Sequence, residues 1–85
     1  MDMDKNEISD GMIENARRHP IVKIIEFNAK GFAKCFAHEE RTPSLHRYER
    51  GNVGHCFSCA KTFDPISILM LRDGLTFADA IRALQ

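Results

Sequence analysis

The chain has 85 residues, 12 Lys and Arg against 12 Asp and Glu, no Trp and one Tyr, the scale of one small domain whose apolar core leaves little margin by itself. No apolar run reaches the roughly eighteen residues of a spanning helix and no signal-peptide pattern is present, which predicts a soluble, cytoplasmic chain with no membrane partner. The net charge of zero hides an asymmetry: residues 1–14 hold five acids against Lys5 alone, and residues 15–85 hold eleven bases against seven acids, a surplus that permits nucleic-acid contact through a local patch without demanding it.

Residues 1–9 read as a flexible acidic tail without periodicity, and residues 10–85 as the folded domain. Ser9 or Asp10 caps a predicted helix that runs to about Arg18, with Met12, Ile13 and Ala16 as its apolar stripe. His19-Pro20 breaks it, because proline disfavours a helical residue before itself; His19 is expected at the surface. Pro20 then opens a second predicted helix whose buried face is Ile21, Ile24, Ile25 and Phe27, closed by Asn28 to Gly31 with Gly31 in the left-handed conformation.

From Phe32 the pattern changes to short strands. Phe32-Ala33-Lys34 leads to Cys35, Pro43 to Tyr48 is a predicted strand, Arg50-Gly51-Asn52 a hairpin turn, and Val53 to Phe57 the returning strand. Helical periodicity resumes after Asp64, which caps a helix with Pro65 in its first turn and Ile66, Ile68, Leu69 and Met70 behind it. Gly74 ends that helix. Thr76 caps the last one, with Asp79 as the capping-box acid and Phe77, Ala80, Ile81 and Leu84 as an apolar face read as core.

All three cysteines fall in two knuckles, Cys35-Phe36-Ala37-His38 and Cys56-Phe57-Ser58-Cys59, with seventeen residues between the pairs. Each knuckle is a tight turn that aims two donors at one point, and two facing knuckles supply the four ligands of a closed tetrahedral Zn²⁺ site. An odd cysteine count excludes full intrachain disulfide pairing. A Cys–His pair three residues apart on one turn suits a shared metal better than nucleophile–base contact. Three thiolates and one imidazole around Zn²⁺ leave a single negative charge and no position for water, so one structural rather than hydrolytic zinc is predicted. Zinc would carry much of the folding free energy. The expected fold is α+β, a small zinc ribbon of antiparallel hairpins pinned by one metal and flanked by N- and C-terminal helices. Phe57, between two ligands, is expected to cover the metal, and His46 and His55 are spare histidines.

The run Cys35-Phe36-Ala37-His38-Glu39-Glu40-Arg41-Thr42-Pro43-Ser44-Leu45, then Cys56-Phe57-Ser58-Cys59-Ala60, Asp64 and the closing Asp73-Gly74-Leu75-Thr76-Phe77-Ala78-Asp79-Ala80-Ile81-Arg82-Ala83-Leu84, resembles the CHCC-type zinc-binding domain of bacterial and phage DnaG-type DNA primases. The likeness covers about residues 12 to 85. The chain departs from that pattern at Phe36, where the family has proline, and at Lys61-Thr62-Phe63, which replaces a glycine-rich link. The resemblance implies a template reader that binds single-stranded DNA and helps choose where a primer starts. Nucleotide chemistry in those primases belongs to a separate domain with clustered carboxylates, which these residues do not supply, so no catalysis is expected. The chain is then either the N-terminal piece of a primase or a free-standing small protein of a phage or mobile element, with a primase catalytic domain or replicative helicase as possible protein partners.

A ribbon face with basic residues around an aromatic can track a backbone and stack bases. The candidates are Lys34, Arg41, Arg47, Tyr48, Arg50, His55 and Lys61. Arg41 falls on the family's basic position beside the hydroxyls of Thr42 and Ser44, which can also meet phosphate; the competing reading is an ion pair with Glu39 or Glu40. For Tyr48, near the hairpin tip, base stacking and hairpin packing both stand. A second function remains open beside template binding: the near-zero charge and the acidic tail also suit a protein–protein adapter or inhibitor that reuses the fold, docking on a helicase, a primase or a host defence complex.

Overall fold

The structure, a computed structural model, describes residues 8–36 and 42–85; the acidic tail through Glu7, and the stretch holding His38 and Arg41, lie outside the described residues. In chain order the described elements are helix α1 (Asp10–Arg18), a one-turn 3₁₀ helix (Ile21–Lys23), strands β1 (Phe32–Ala33), β2 (Leu45–Tyr48), β3 (Val53–Cys56) and β4 (Lys61–Phe63), and helices α2 (Pro65–Asp73) and α3 (Phe77–Ala83). The strands form one antiparallel sheet in the order β1-β2-β3-β4. The α+β ribbon between terminal helices is therefore as expected.

The helix ends follow local chemistry. Ser9 Oγ accepts from the Met12 amide at 3.2 Å, Asp64 Oδ1 from Ser67 at 2.7 Å and Thr76 Oγ1 from Asp79 at 3.1 Å, each satisfying an amide that the helix start leaves without an internal partner. Gly74 closes α2 in the left-handed conformation at φ +71°. Asp10 in the first turn of α1 and Arg17 and Arg18 in its last complement the helix dipole.

Three expectations about the elements need correction. The helix predicted from Pro20 to Phe27 is only the 3₁₀ turn Ile21–Lys23. Its β-branched residues lose rotamer freedom in a helix, and Ile24, Ile25 and Phe27 instead pack on the ribbon as partly buried side chains. Gly31 is left-handed as predicted, at φ +86°, yet it caps no helix: Asn28 Oδ1 accepts from both Lys30 and Phe32 amides, at 2.9 and 3.0 Å, and turns the chain into β1. Strand β4 stands where the sequence suggested a mere link; three residues are too few to show alternation, and only pairing with β3 reveals them as a strand.

Two apolar clusters make the interior. One joins Ile21, Ala33, Leu45, Phe63 and Ile68 with Cys35 and Cys56; the other joins Ala16, Ile66, Leu69, Ala80, Ile81 and Leu84. Helix α2 serves both, sending Ile68 to the ribbon and Ile66 and Leu69 to the helices, so its first half is buried on more than one face while Met70 to Asp73 are exposed. Gly54 permits the first cluster to close, since a Cβ there would meet Leu45 Cδ1 at 3.3 Å and Ile21 Cδ1 at 3.4 Å. Met70 and Phe77, expected in the core, are instead 37% and 48% exposed, Phe77 as the first residue of α3. His19 is half-buried rather than superficial.

A side chain from the hairpin also joins the two halves. Asn52 Nδ2 donates to the carbonyls of Arg17 and His19, both at 2.7 Å, while Oδ1 accepts from the Ile21 amide at 2.9 Å. Asn52 adopts φ +54°, a left-handed geometry that asparagine tolerates. Asn52→Ala leaves these three backbone groups without that partner and is expected to cost about 2 kcal/mol, read by urea unfolding of the zinc-loaded protein. Ala60 sits at φ +58° with no such excuse. Ala60→Gly relieves the clash of Cβ with the backbone and is expected to add about 1 kcal/mol in the same assay. A loss of stability in that variant contradicts this account of the turn.

Candidate metal centre and the ribbon face

Each cysteine is delivered by the end of a strand. Cys35 lies two residues beyond β1, Cys56 is the last residue of β3, and Cys59 sits in the turn between β3 and β4. That turn is closed by the Ala60 amide donating to the Cys56 carbonyl at 2.8 Å and is anchored by the Phe57 amide donating to the Ser44 carbonyl at 2.9 Å. The three Sγ atoms lie within 4.8 Å of one another, and Cys35 and Cys59 are 3.9 Å apart. Four ligands at a Zn–S distance of about 2.3 Å stand about 3.8 Å apart along a tetrahedral edge, whereas a disulfide needs about 2.05 Å. The spacing is that of thiolates around a shared ion.

The surroundings fit the same chemistry. Cys35 and Cys56 are buried and Cys59 is half-buried, so three ionised sulfurs at this distance require a cation between them. Ser44 Oγ lies 3.4 Å from Cys56 Sγ, a contact of the kind that orients and tunes a metal ligand; the hydroxyl expected to meet phosphate is turned to the sulfur instead. Phe36 and Phe63 pack ring to ring at 4.8 Å in the cluster that holds the cysteines. Phe57, expected as the cover of the metal, is 58% exposed and lies against His55 at 4.9 Å, and the rings in the cluster that holds the cysteines are Phe36 and Phe63. Period-two alternation explains it: Cys56 faces inward, and the next residue must face out.

The opposite face of the ribbon carries a row of rings. In register, Phe32 pairs with His46, His46 with His55, Tyr48 with Val53, and His55 with Thr62. Edge-to-face contacts run from Phe32 to His46 at 4.4 Å and from His46 to Tyr48 at 5.2 Å, with His55 against Phe57 on the neighbouring strand. His55 Nδ1 lies 2.8 Å from Thr62 Oγ1. Tyr48 is 42% exposed.

The sequence-predicted contact residues are distributed unevenly about this row. Tyr48 and His55 are in it, Arg50 is exposed at the hairpin tip beside Tyr48, and Lys61 and Lys34 are exposed near the cysteines. Arg47 alternates to the side of Leu45, opposite Gly54, and its Nη1 donates to Glu49 at 2.9 Å. His38 and Arg41 lie outside the described residues. Phe32, His46, Phe57 and Thr62 were not singled out as surface residues of one face; the spacing 46, 48 and 53, 55, 57 carried the signal, but only with the cross-strand register known. Among the described residues no helix is long and apolar enough to cross a membrane.

A family model described as the CHC2 zinc finger matches residues 5–85. Similar curated proteins include the DNA primase of Listeria monocytogenes, 40% identical over 48 residues, covering 56% of this chain and 8% of that protein. The DNA primase of Neisseria meningitidis serogroup B is 32% identical over 83 residues, covering 89% of this chain and 14% of that protein. The DNA primase of Streptomyces coelicolor is 37% identical over 57 residues, covering 67% of this chain and 9% of that protein. The chain thus spans a small part of these relatives' length. With the family match running across nearly all 85 residues and three cysteine sulfurs gathered within 4.8 Å of one another, the chain belongs to the CHC2 zinc finger family, as a zinc-finger domain of the DNA-primase type.

Proposed function

We propose that this domain holds one structural Zn²⁺ through Cys35, His38, Cys56 and Cys59 and binds single-stranded template DNA on the outer face of its ribbon, without catalysing nucleotide transfer itself. The observation that carries the reading is the row Phe32, His46, Tyr48 and His55, Phe57 on an open sheet face, bordered by Arg50, with Lys61 exposed at the sheet's end opposite Cys56. Aromatic rings stack bases of any sequence, and flanking cations follow the phosphates. Arg41 and Lys34 belong to the same proposal as backbone contacts at the margin, whereas Arg47 alternates to the inner side and pairs with Glu49. The family relatives are DNA primases, and a primase must hold a single-stranded template; a primase catalytic domain or replicative helicase would be the protein neighbour.

Zinc has a narrow task here. It supplies charge compensation for the thiolates, while the chain's own residues set the strand ends that meet at the sulfurs. Purified protein is expected to contain one zinc per chain. Stripping it with a strong chelator should abolish the folded circular-dichroism signal, because binding free energy is folding free energy in such domains. His38→Ala should lower zinc affinity by at least tenfold in a competition titration; full retention of affinity removes His38 from the ligand set.

Binding is tested by fluorescence anisotropy with labelled single-stranded DNA at two salt concentrations. Tyr48→Ala is expected to weaken binding about five- to a hundredfold, the range for loss of one base–aromatic stack, and affinity should fall as salt rises. Zinc-loaded, folded protein that binds no single strand at low salt overturns the proposal. That outcome would favour a second reading, a protein–protein adapter, for which the exposed Met70, Leu71 and Phe77 on the helical side are the supporting observation.

A further inference from the structure

The three sulfurs of the metal centre are not held alike. Cys56 closes β3, a strand paired on both sides, where it opposes Leu45 on β2 and Lys61 on β4. Its Sγ lies 3.4 Å from Ser44 Oγ. Cys35 stands beyond the end of β1 and Cys59 in the turn between β3 and β4, so neither belongs to a strand. Access differs as well. Cys56 is 0% and Cys35 4% exposed, whereas Cys59 is half-buried in a turn whose other residues, Phe57, Ser58 and Ala60, are exposed. Cys35 and Cys59 lie 3.9 Å apart.

These differences bear on oxidation. A peroxide in solution reaches an accessible thiolate first, and a neighbouring thiolate resolves the sulfenic acid that forms. A disulfide then requires the two sulfurs to close to about 2.05 Å. Cys35 and Cys59 can approach by small shifts of a strand end and a turn. Drawing Cys56 toward either would pull on β3 and on the pairs it makes with two neighbours. With Cys56 ionised, the Ser44 hydroxyl must be the donor, because a thiolate has no proton to give. A sulfur that already accepts a hydrogen bond is the poorer nucleophile.

We propose that Cys59 is an oxidative modification site: hydrogen peroxide converts it to a sulfenic acid, which Cys35 resolves as a Cys35–Cys59 disulfide, with Cys56 spared by its strand and by Ser44. The Cys59 sulfur attacks the peroxide O–O bond and keeps one oxygen as the sulfenic acid, and hydroxide leaves. The Cys35 sulfur then attacks Cys59, the S–O bond breaks and a second hydroxide leaves. Two electrons from the sulfur pair thus reduce one hydrogen peroxide to two waters after protonation. The inference rests on the zinc reading above: two of the four proposed ligands are consumed and the ion is released. The new bond joins the same two places in the fold as the metal, the end of β1 and the turn after β3.

The test treats zinc-loaded chain with stoichiometric hydrogen peroxide, follows zinc with a colorimetric indicator, alkylates the remaining thiols and maps tryptic peptides by mass spectrometry. Trypsin places Cys35 in residues 35–41 and both Cys56 and Cys59 in residues 51–61. The expected result is one zinc released per disulfide, the two peptides joined, and alkylation on Cys56. Ser44→Ala should raise the share of disulfides that include Cys56 about fivefold, the equivalent of one hydrogen bond lost. A Cys56–Cys59 bond within residues 51–61, a disulfide between chains, or zinc retained after peroxide overturns the proposal and leaves the zinc reading in place. Unchanged pairing in Ser44→Ala overturns the protection assigned to Ser44. A chain purified without zinc overturns the zinc reading, and the peptide map alone then decides the pair.

Discussion

The structure depends on bringing three sulfurs from two distant turns to within 4.8 Å of one another. No other described contact ties the end of β1 to the turn after β3 as directly, and the apolar cores on either side are small. A domain of this size must replace missing hydrophobic area with a staple. The staple here lies inside a core: Cys35 and Cys56 are members of the same cluster as Leu45, Phe63 and Ile68. Burial strengthens the interaction of a cation with its thiolates by excluding water, and it also makes the thiolates untenable without that cation. With the proposed zinc in that position, folding and metal occupancy would be one event.

Much of this was legible in the sequence. The cysteine spacing announced the centre, because ligand chemistry fixes both residue type and offset. Ser9, Asp64, Thr76 and Gly74 announced helix ends, because a cap is decided within four residues. What failed to show were features decided across the chain. The segment from Ile21 to Phe27 has a helical apolar spacing, yet its side chains are needed on the ribbon, and Asn52, thirty-one residues away, takes the amide of Ile21. Strand β4 has three residues and no signature of its own. Asn52 itself reads as an ordinary turn residue until its side chain is seen gripping the end of α1.

The candidate interface was legible only in part for the same reason. Arg47 and Tyr48 are neighbours in sequence and were grouped as such, but a strand sends them to opposite sides, and Glu49 claims the arginine. Phe57 was assigned to the metal because it stands between two ligands, whereas alternation after an inward Cys56 turns it out. Charge marks a nucleic-acid surface coarsely; register decides which charges and rings share a face. Register is a long-range property, and one chain without its pairing partner does not display it.

Register also links the two faces of the ribbon. Leu45 opposes Cys56 on the inner face, and His46 opposes His55 on the outer one. A slip of one residue between β2 and β3 would carry the rings inward and a cysteine outward, since side chains alternate with a period of two. Short strands with a polar outer face specify register weakly by hydrophobic pattern alone. The sulfur cluster specifies it strongly, because Cys56 can join Cys35 and Cys59 only from the inner face. A metal that never touches the outer surface would in this way determine which residues appear on it, and the aromatic row would inherit its alignment from ligands on the other side of the sheet.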